Sequence, residues 1–279
     1  MPEGHTIHRA ARDQRAMLVG KTVSALSPQG RFVEGAGRID GAVCLGIEAI
    51  GKHLLYHFDN AQSLHIHLGL AGRIYRDPQP AEPPRDVVRI RMESVSHVID
   101  ITGPAICEIL DQASIDAFRH NYGPDLLSNV PEPERAIARI RKSKAPVGTL
   151  LMNQKVISGI GNIYRTEILW LLGINPLTPG CDVPKAKLVK LWDDMRALMV
   201  IGVDFNSIIT NGDLPKAGQD VGERVNIYAQ PTCPKCAADI VVSKLNARTL
   251  YHCPKCQKAQ RVRRKAKAKA KVKAQAKAL

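Results

Sequence analysis

The sequence lacks any apolar run long enough to cross a membrane. A membrane-spanning helix needs about 20 consecutive apolar residues, and no stretch of the 279-residue chain approaches that length. The first segment does not read as a secretory signal peptide either, because Arg9, Arg12, Asp13 and Arg15 interrupt it. We therefore expect a cytoplasmic protein with no membrane partner.

Aromatic and acidic residues are both scarce. Aromatic residues make up 4% of the chain, which leaves few side chains on which the bases of single-stranded RNA could stack. An RNA-binding or ribosomal protein is therefore a weaker alternative. Acidic residues number 26 against 40 Lys and Arg, for a formal net charge of +14. This surplus favours a polyanionic partner, nucleic acid before an anionic membrane.

Disulfide bonds are not expected, because the chain has seven cysteines, an odd number, and the expected cytoplasmic compartment is reducing. Four of them form two CxxC pairs, Cys233 with Cys236 and Cys253 with Cys256, and sixteen residues separate the pairs. Four thiolates at this spacing are typical of a closed tetrahedral Zn²⁺ site with no open position for catalysis. We predict one structural zinc ion in a zinc-ribbon hairpin. The other three cysteines are expected to be small buried residues: Cys44, Cys107 and Cys181.

Residues 1–120 predict a helix followed by a sheet. Apolar residues recur at helical spacing from Ile7 to Leu18, and Gly20 follows as a stop signal. Short alternating stretches then lie between Gly, Pro and Asp residues, a pattern typical of an antiparallel sandwich or barrel. The predicted strands are 43–50, 54–58, 63–68, 87–92, 98–101 and 106–110. His65 and His67 share one strand face, which we interpret as the polar face of the sheet rather than a metal site.

The rest of the chain divides into four predicted segments. Gly and Pro residues at 121–133 indicate a hinge between domains. Helical periodicity follows over 134–224, and the CxxC pairs define a zinc finger over 225–260. Residues 261–279 carry nine Lys or Arg and no acid, which predicts a disordered tail that attracts nucleic acid non-specifically or only aids solubility. The predicted fold class is α+β, with an N-terminal helix, an antiparallel β-sandwich domain, a helical domain and a zinc-ribbon hairpin.

The residues after Met1 offer a candidate nucleophile. Removal of Met1, which is usual before proline, would expose Pro2 as a secondary amine, and an α-amine titrates near about 8. Such an amine can attack a sugar carbon and form an iminium ion, which loosens neighbouring bonds. Glu3 is close enough along the chain to donate or accept the protons that move. The alternative is that Pro2 marks only the trimming of Met1.

A glycine-rich turn, Ser158-Gly159-Ile160-Gly161-Asn162, precedes a predicted helix over 163–172. Two glycines at a helix start let the backbone approach a phosphate, and the free N–H groups there favour anions. The turn is therefore either a phosphate contact or an ordinary tight turn between packed helices.

Together, and in this order, these motifs resemble the formamidopyrimidine-DNA glycosylase and endonuclease VIII family of DNA repair enzymes. The resemblance covers nearly everything except the tail. It rests on Pro2-Glu3-Gly4, Gly51-Lys52-His53, Gly123-Pro124-Asp125, the run from Ile157 to Tyr164, and the zinc ribbon with Arg248. The run from Ile157 looks like the helix–two-turn–helix DNA-binding motif of that family.

The resemblance implies a bifunctional glycosylase and abasic-site lyase that acts on oxidised bases in double-stranded DNA, without an organic cofactor. It implies that Pro2 attacks C1′ of a flipped nucleotide, that Glu3 moves protons, and that Lys52 assists near the amine and contacts phosphate. Asn162 and Arg248 would clamp the DNA backbone beside the lesion, and Arg248 would serve a second elimination. Because all these elements lie in one chain, we expect a monomer. A non-catalytic DNA-binding protein is the alternative, although such a protein would be free to lose Pro2.

Departures from the family pattern bear on the substrate. Purine-specific members carry an Arg and a Phe that fill the gap left by the flipped base, whereas residues 103–107 supply neither. Leu70 remains as one apolar residue that could enter the base stack, and His5-Thr6 replaces a common acidic residue at position 6. The segment 211–226 is also short for a loop that caps a damaged purine. We expect a preference for oxidised pyrimidines, as in endonuclease VIII, with an 8-oxoguanine or formamidopyrimidine glycosylase as the alternative and bubble or single-stranded DNA as further candidate substrates.

Overall fold

The computed structural model describes residues 2–216 and 224–259. The helices are α1 (Gly4–Leu18), α2 (Val33–Gly37), α3 (Gln112–Asn121), α4 (Pro133–Arg141), α5 (Val147–Leu150), α6 (Asn162–Leu171) and α7 (Lys185–Phe205). The strands are β1 (Thr22–Leu26), β2 (Ala42–Ile50), β3 (His53–Phe58), β4 (Ser63–His67), β5 (Arg73–Pro78), β6 (Val88–Glu93), β7 (His97–Thr102), β8 (Ile106–Leu110), β9 (Val241–Leu245) and β10 (Arg248–His252). Met1, part of the segment 211–226 and the predicted tail lie outside the described residues.

The N-terminal half is one antiparallel sheet whose two parts meet at β1. The strand order is β5-β7-β6-β1-β2-β3-β4-β8. The first residues of β1 pair with β2 and its last residues pair with β6, so β1 passes from one part to the other. Both parts bury side chains in a common core, for example Leu54 and Ile66 from one with Ile90 and Ile101 from the other. The predicted α+β fold class is confirmed.

The sheet face that carries His65 is covered by α3, a helix that the sequence analysis did not predict. Phe118 of α3 lies against the His65 ring, with ring centroids 5.2 Å apart, and His65 is buried. The His65 ring nitrogens bond Glu108 Oε1 at 2.9 Å and His53 Nδ1 at 2.8 Å. Among the described residues these histidines join no group that could hold a metal ion. The face is polar, as expected, but it does not contact solvent at His65.

The segment predicted as a hinge is held at Asp125. This buried side chain accepts hydrogen bonds from His8 Nε2 of α1 at 2.9 Å and from the backbone N–H of Gly51 at 2.6 Å. The carbonyl of Pro124 accepts a hydrogen bond from the backbone N–H of Ser158 at 2.9 Å. The segment therefore joins α1, the β2–β3 turn and the helical half at one place.

The C-terminal half packs α4, α5, α6 and α7 around a second apolar core. One stripe of α7 is apolar and packs into this core, since its buried side chains include Leu188, Leu191, Trp192, Met195 and Met199. A 3₁₀ turn over Gly180–Asp182 precedes α7, whose N-cap residue is Pro184. The zinc-ribbon segment packs on α6 through Trp170.

Helix α1 connects the two halves. It packs on β2 and on α7, and Arg9 Nη1 donates to the carbonyls of Val203 at 2.9 Å and Asp204 at 2.5 Å. These carbonyls lie at the C-terminal end of α7, where the helix dipole favours a cation. The start of the chain is thereby fixed against both halves.

Two further expectations concern membrane-spanning helices and the burial of three cysteines. Within residues 2–216 and 224–259, no helix is both long and apolar enough to span a bilayer. Cys44 is buried as predicted and Cys107 is half-buried, whereas Cys181 is exposed, so the prediction of burial is wrong for Cys181.

Candidate active site at the chain start and its nucleic-acid interface

The glycine-rich turn before α6 binds a carboxylate of the same chain. Glu3 is fully buried. Its Oε2 accepts from the backbone N–H of Gly161 at 2.7 Å, and its Oε1 accepts from the backbone N–H of Ile163 at 2.9 Å. A Cβ at Gly161 would lie 2.2 Å from Glu3 Cδ, so only glycine fits there. The N–H groups that the sequence analysis offered to a phosphate are therefore occupied by Glu3.

The backbone next to Glu3 is held as well. The N–H of Gly4 donates to the carbonyl of Gly159 at 2.8 Å, and a Cβ on Gly4 would lie 2.8 Å from the Cα of Gly159. Both glycines of the turn thus permit close packing of residues 3–4 against the start of α6. Pro2, which precedes Glu3, lines a cavity to which both halves contribute residues.

Burial raises the pKa of the Glu3 carboxyl, although Lys52 and the backbone N–H groups of Ile163 and Gly161 act in the opposite direction. A raised pKa keeps a proton on a carboxyl closer to neutral pH. The direction of this shift suits Glu3 to the donation of a proton.

Lys52 is positioned by the β2–β3 turn. Gly51 has a φ of 58°, in the region that favours glycine, and its N–H is the one that Asp125 accepts. Burial lowers the pKa of the Lys52 ammonium group; Glu3 opposes this shift and Arg248 adds to it. The Lys52 side chain donates no hydrogen bond to any residue in the described ranges. It is a cation that faces the site and is available to a ligand.

Arg248 reaches the same site from the zinc ribbon. It begins β10 after a two-residue turn in which Asn246 and Ala247 have φ values of 48° and 59°. Its side chain is exposed, and its charge acts on both Lys52 and Arg165. Three cations therefore lie close together, an arrangement that attracts an anion such as a phosphate.

Asn162, which is expected to contact the DNA backbone, is the first residue of α6. It is 5% exposed, its Nδ2 donates to the carbonyl of Thr249 at 2.9 Å, and its Oδ1 accepts from Arg165. Arg165 Nη2 donates to the same Thr249 carbonyl at 3.0 Å. Asn162 thus ties α6 to the residue after Arg248. Arg165 was not predicted as a site residue, although its position three residues after Asn162 puts both on one face of a helix.

A cavity of about 500 Å³ opens beside Pro2. Its lining comes from α1, from the β4–β5 loop and from the residues that follow α7, and it includes Pro2, His5, Thr6, Leu70, Arg73 and Ser207. Leu70 is 65% exposed at the tip of the β4–β5 loop. The structure therefore brings Pro2 and Leu70 to one cavity and Glu3, Lys52 and Arg248 to one electrostatic site.

The four ribbon cysteines fit a tetrahedral zinc site. Their sulfur atoms all lie within 4.8 Å of one another. The separation is 3.8 Å for Cys233 and Cys256, 3.5 Å for Cys236 and Cys253, and 3.6 Å for Cys236 and Cys256. A Zn–S distance of about 2.3 Å implies sulfurs about 3.8 Å apart in a tetrahedron. The cluster is thus able to bind one zinc ion.

Comparison with known families and proteins agrees with this arrangement. Residues 1–102 match the formamidopyrimidine-DNA glycosylase N-terminal domain, and residues 122–212 match the formamidopyrimidine-DNA glycosylase H2TH domain. Endonuclease 8 1 of Mycobacterium tuberculosis (strain ATCC 25618 / H37Rv) is 36% identical over 268 residues, which cover 92% of this chain and 100% of that protein. Formamidopyrimidine-DNA glycosylase of Chloroflexus aggregans is 29% identical, over 92% of this chain and 98% of that protein.

Solved structures show the same fold. Lactococcus lactis formamidopyrimidine-DNA glycosylase, bound non-covalently to DNA that contains an abasic site, superimposes with a TM-score of 0.75 at 19% identity, over 92% of this chain and 100% of that one. Two domain matches that span more than half of the chain and a full-length relative at 36% identity establish the family. The chain belongs to the formamidopyrimidine-DNA glycosylase and endonuclease VIII family of base excision repair DNA glycosylases.

Proposed function

We propose that this protein is a bifunctional DNA glycosylase and abasic-site lyase that removes oxidised pyrimidines through an imine on Pro2. The observation that carries the proposal is the placement of Glu3. A fully buried carboxyl with a raised pKa lies one residue from the candidate nucleophile, on the N–H groups of α6 and within the field of Lys52. Such an arrangement suits proton transfer next to an amine.

The reaction follows from these groups. The Pro2 nitrogen attacks C1′ of the damaged nucleotide, and the base leaves with the C1′–N bond electrons and takes up the proton that the amine loses. Glu3 delivers a proton to the sugar ring oxygen as the C1′–O4′ bond breaks, and the nitrogen lone pair then forms the iminium with C1′. The resulting iminium acidifies the 2′ hydrogen, whose loss expels the 3′ phosphate. Loss of a second proton then expels the 5′ phosphate, a step that Arg248 assists. Water finally releases the sugar fragment and restores the amine.

The DNA is held by the cations around this centre. A duplex base is out of reach of Pro2, so the nucleotide is flipped at a cost of a few kcal/mol. Lys52 and Arg248 contact the phosphates beside the lesion, and Asn162 holds the Thr249 backbone that presents Arg248. Exposed Leu70 enters the gap left in the stack. The abasic-site DNA bound by the Lactococcus lactis structural relative supports a DNA ligand of this kind.

Cys233, Cys236, Cys253 and Cys256 hold one structural zinc ion, which keeps the β9–β10 hairpin and Arg248 in place. Metal analysis of the purified protein tests this directly, with one zinc ion expected per chain. Chelation is expected to lower DNA affinity and unfold the hairpin. A protein that keeps full DNA affinity without stoichiometric metal would contradict the role of zinc.

The substrate class rests on two observations. The 36% identical relative is an endonuclease 8, and Gly103–Cys107 offer no Arg or Phe to fill the gap, which leaves Leu70. The 29% identical relative is a formamidopyrimidine-DNA glycosylase, and this favours oxidised purines as the second candidate. The protein acts as a monomer, since one chain carries every group, and it works on DNA in the cytoplasm.

Borohydride trapping tests the proposal, because it reduces an imine to a permanent cross-link. The processed protein is expected to form an adduct with duplexes that contain thymine glycol, dihydrouracil or an abasic site, more slowly with 8-oxoguanine. An N-terminal extension that blocks the Pro2 amine is the matched control and is expected to form none. Binding without an adduct on any of these DNAs would identify a non-catalytic DNA-binding protein. A faster adduct on 8-oxoguanine would favour oxidised purines as the substrate class. An adduct on bubble DNA alone would show that duplex DNA is not the substrate.

A further inference from the structure

The zinc-ribbon segment is bound to α6 at both ends of that helix. At the start of α6, Asn162 Nδ2 and Arg165 Nη2 donate to the carbonyl of Thr249 in β10, at 2.9 and 3.0 Å. Near the end of α6, Trp170 is 7% exposed and packs in the small apolar cluster of the ribbon. Its indole Nε1–H donates to Sγ of Cys233 at 3.3 Å. One helix of the C-terminal half therefore contacts both a backbone carbonyl of the hairpin and a sulfur atom of the cysteine cluster.

The two CxxC pairs are alike in their local hydrogen bonds. The backbone N–H of Cys256 donates to Sγ of Cys253 at 3.4 Å, and the backbone N–H of Cys236 donates to Sγ of Cys233. In both pairs the donor belongs to the turn that carries the acceptor. The bond from Trp170 is of a different kind, because its donor is a side chain 63 residues away in the sequence. It therefore exists only when the ribbon is packed on α6.

A hydrogen-bond donor has a large effect on a metal site made of four cysteines. Four thiolates around one zinc ion leave a net charge of about −2 on the loaded cluster, and an N–H donor takes up part of that charge. The Lys235 ammonium lies 5.7 Å from the centroid of the Trp170 ring. A cation in that position attracts the π electrons and makes the indole N–H a stronger donor. Donors of this kind orient metal ligands and adjust their basicity.

We propose that Trp170 is a positioning residue of the zinc site, whose indole N–H orients the Cys233 thiolate toward the metal and reduces its negative charge. The metal site is then completed by α6, so that metal binding and the packing of the ribbon on α6 stabilise each other. Because Arg248 begins a strand of the same ribbon, this coupling also stabilises the position of Arg248. The inference rests on the proposed zinc ion and is independent of the base that the enzyme removes.

Trp170→Phe tests the inference, because it keeps an aromatic ring and removes the N–H. The zinc affinity of the full-length protein, measured by competition with a chelator, is expected to fall about ten- to a hundred-fold. In the cobalt-substituted protein the sulfur-to-cobalt charge-transfer band is expected to move to longer wavelength, because a thiolate without the N–H bond gives up an electron more easily. Trp192→Phe is the matched control, since Trp192 is a buried tryptophan of the helical core, and it is expected to change neither quantity.

Each other result would overturn the inference. An unmoved band in Trp170→Phe would do so even if the affinity fell, because lost packing alone weakens zinc binding without altering the thiolate. A moved band with unchanged affinity would remove the positioning role. An equal change in Trp192→Phe would show that the N–H bond to Cys233 is not the cause.

A second measurement uses the wild-type protein and decides the matter if Trp170→Phe does not fold. The chain has two tryptophans, and in protein loaded with an NMR-active cadmium isotope one indole N–H proton is expected to show scalar coupling to the metal across the bond to sulfur. The signal that remains in Trp192→Phe identifies Trp170. Coupling on neither indole, or on Trp192 alone, would overturn the inference. Failure of the proposed zinc site is distinguishable, since the purified wild-type protein would then contain no stoichiometric metal.

Discussion

Glu3 and Glu167 are two fully buried carboxylates at one helix, and their surroundings differ. Glu167 lies within α6 and accepts five hydrogen bonds. Its donors are Thr210 Oγ1 at 2.7 Å, the backbone and side-chain nitrogens of Asn226 at 2.8 and 2.9 Å, and the backbone nitrogens of Ile227 and Tyr228 at 2.9 and 2.8 Å. Glu3 lies at the start of α6, where it accepts from backbone N–H groups alone and is next to Pro2 and Lys52.

The difference separates a structural carboxylate from a reactive one. A buried carboxylate is costly unless hydrogen bonds replace the lost water. Five donors around Glu167 supply that replacement and join residue 210 to residues 226–228, which lie on either side of residues 211–225 in the sequence. Glu3 has fewer donors, and burial raises its pKa. We infer that Glu167 contributes mainly to stability and Glu3 mainly to the reaction.

Glu3→Gln is expected to have the largest effect on the reaction. General acid catalysis by a positioned side chain contributes about a hundred- to ten-thousand-fold, and an amide cannot deliver the proton. Single-turnover removal of thymine glycol should slow by that range. The free energy of unfolding should fall less than in Glu167→Gln, because the new amide NH₂ can replace the Glu3 oxygen that accepts from Gly161, whereas each oxygen of Glu167 accepts from two or more donors. A wild-type rate in Glu3→Gln would exclude Glu3 as the proton donor.

Glu167→Gln is the opposite case. The new amide NH₂ would face backbone N–H donors in place of an acceptor, and a buried unsatisfied group costs about 1–3 kcal/mol. We expect the free energy of unfolding to fall by about 3 kcal/mol, measured by urea denaturation. The rate of base removal by the folded protein should stay within a few-fold of the wild-type rate. A large loss of rate with unchanged stability would reverse the assignment of the two carboxylates.

Gly161→Ala tests whether the position of Glu3 matters as much as its proton. The new Cβ would lie 2.2 Å from Glu3 Cδ, so the carboxyl must move. A displacement of about 1 Å can cost about a hundred-fold in rate, and we expect a loss of that order. Gly37→Ala is the matched control, because a Cβ at Gly37 meets nothing within 4 Å. Equal rates in the two variants would show that the contact with α6 does not orient Glu3.

The dependence of the rate on pH also distinguishes the two carboxylates. The rate should rise as the Pro2 amine loses its proton and fall as Glu3 loses its own. Because the pKa of Glu3 is raised above 4.5, the folded protein binds more protons than the unfolded chain between 4.5 and that value. The contribution of Glu3 to the free energy of unfolding therefore decreases as the pH rises through this window. Glu3→Gln should lose the falling limb of the rate profile, whereas Glu167→Gln should keep it.

Sequence patterns indicate the local part of this architecture. Periodicity predicts α1, helices in the C-terminal half and six strands of the large sheet, whereas β1 and β5 were not predicted. The CxxC spacing predicts the metal cluster, and the family resemblance indicates Pro2 and Glu3. The contact of Glu3 with Gly161 joins residues 158 positions apart, and no local pattern reports such a pair. The same reason hides the bond between Asp125 and Gly51. Helix α3 was missed because its one buried side chain is Ile115, which gives no apolar periodicity.

Thr210→Val should have the smallest effect of these variants, and it tests a single donor to Glu167. Thr210 is 5% exposed, and the change removes one of five donors to Glu167 while the side-chain volume stays similar. Four donors remain, so the carboxylate is still satisfied and the free energy of unfolding should fall by about 1 kcal/mol. Thr210→Ser keeps the hydroxyl and should restore most of that loss, and neither variant should change the rate on thymine glycol. If Thr210→Val slowed base removal while Thr210→Ser did not, the Glu167 network would have to act on the reaction as well, and the separation of the two carboxylates would fail.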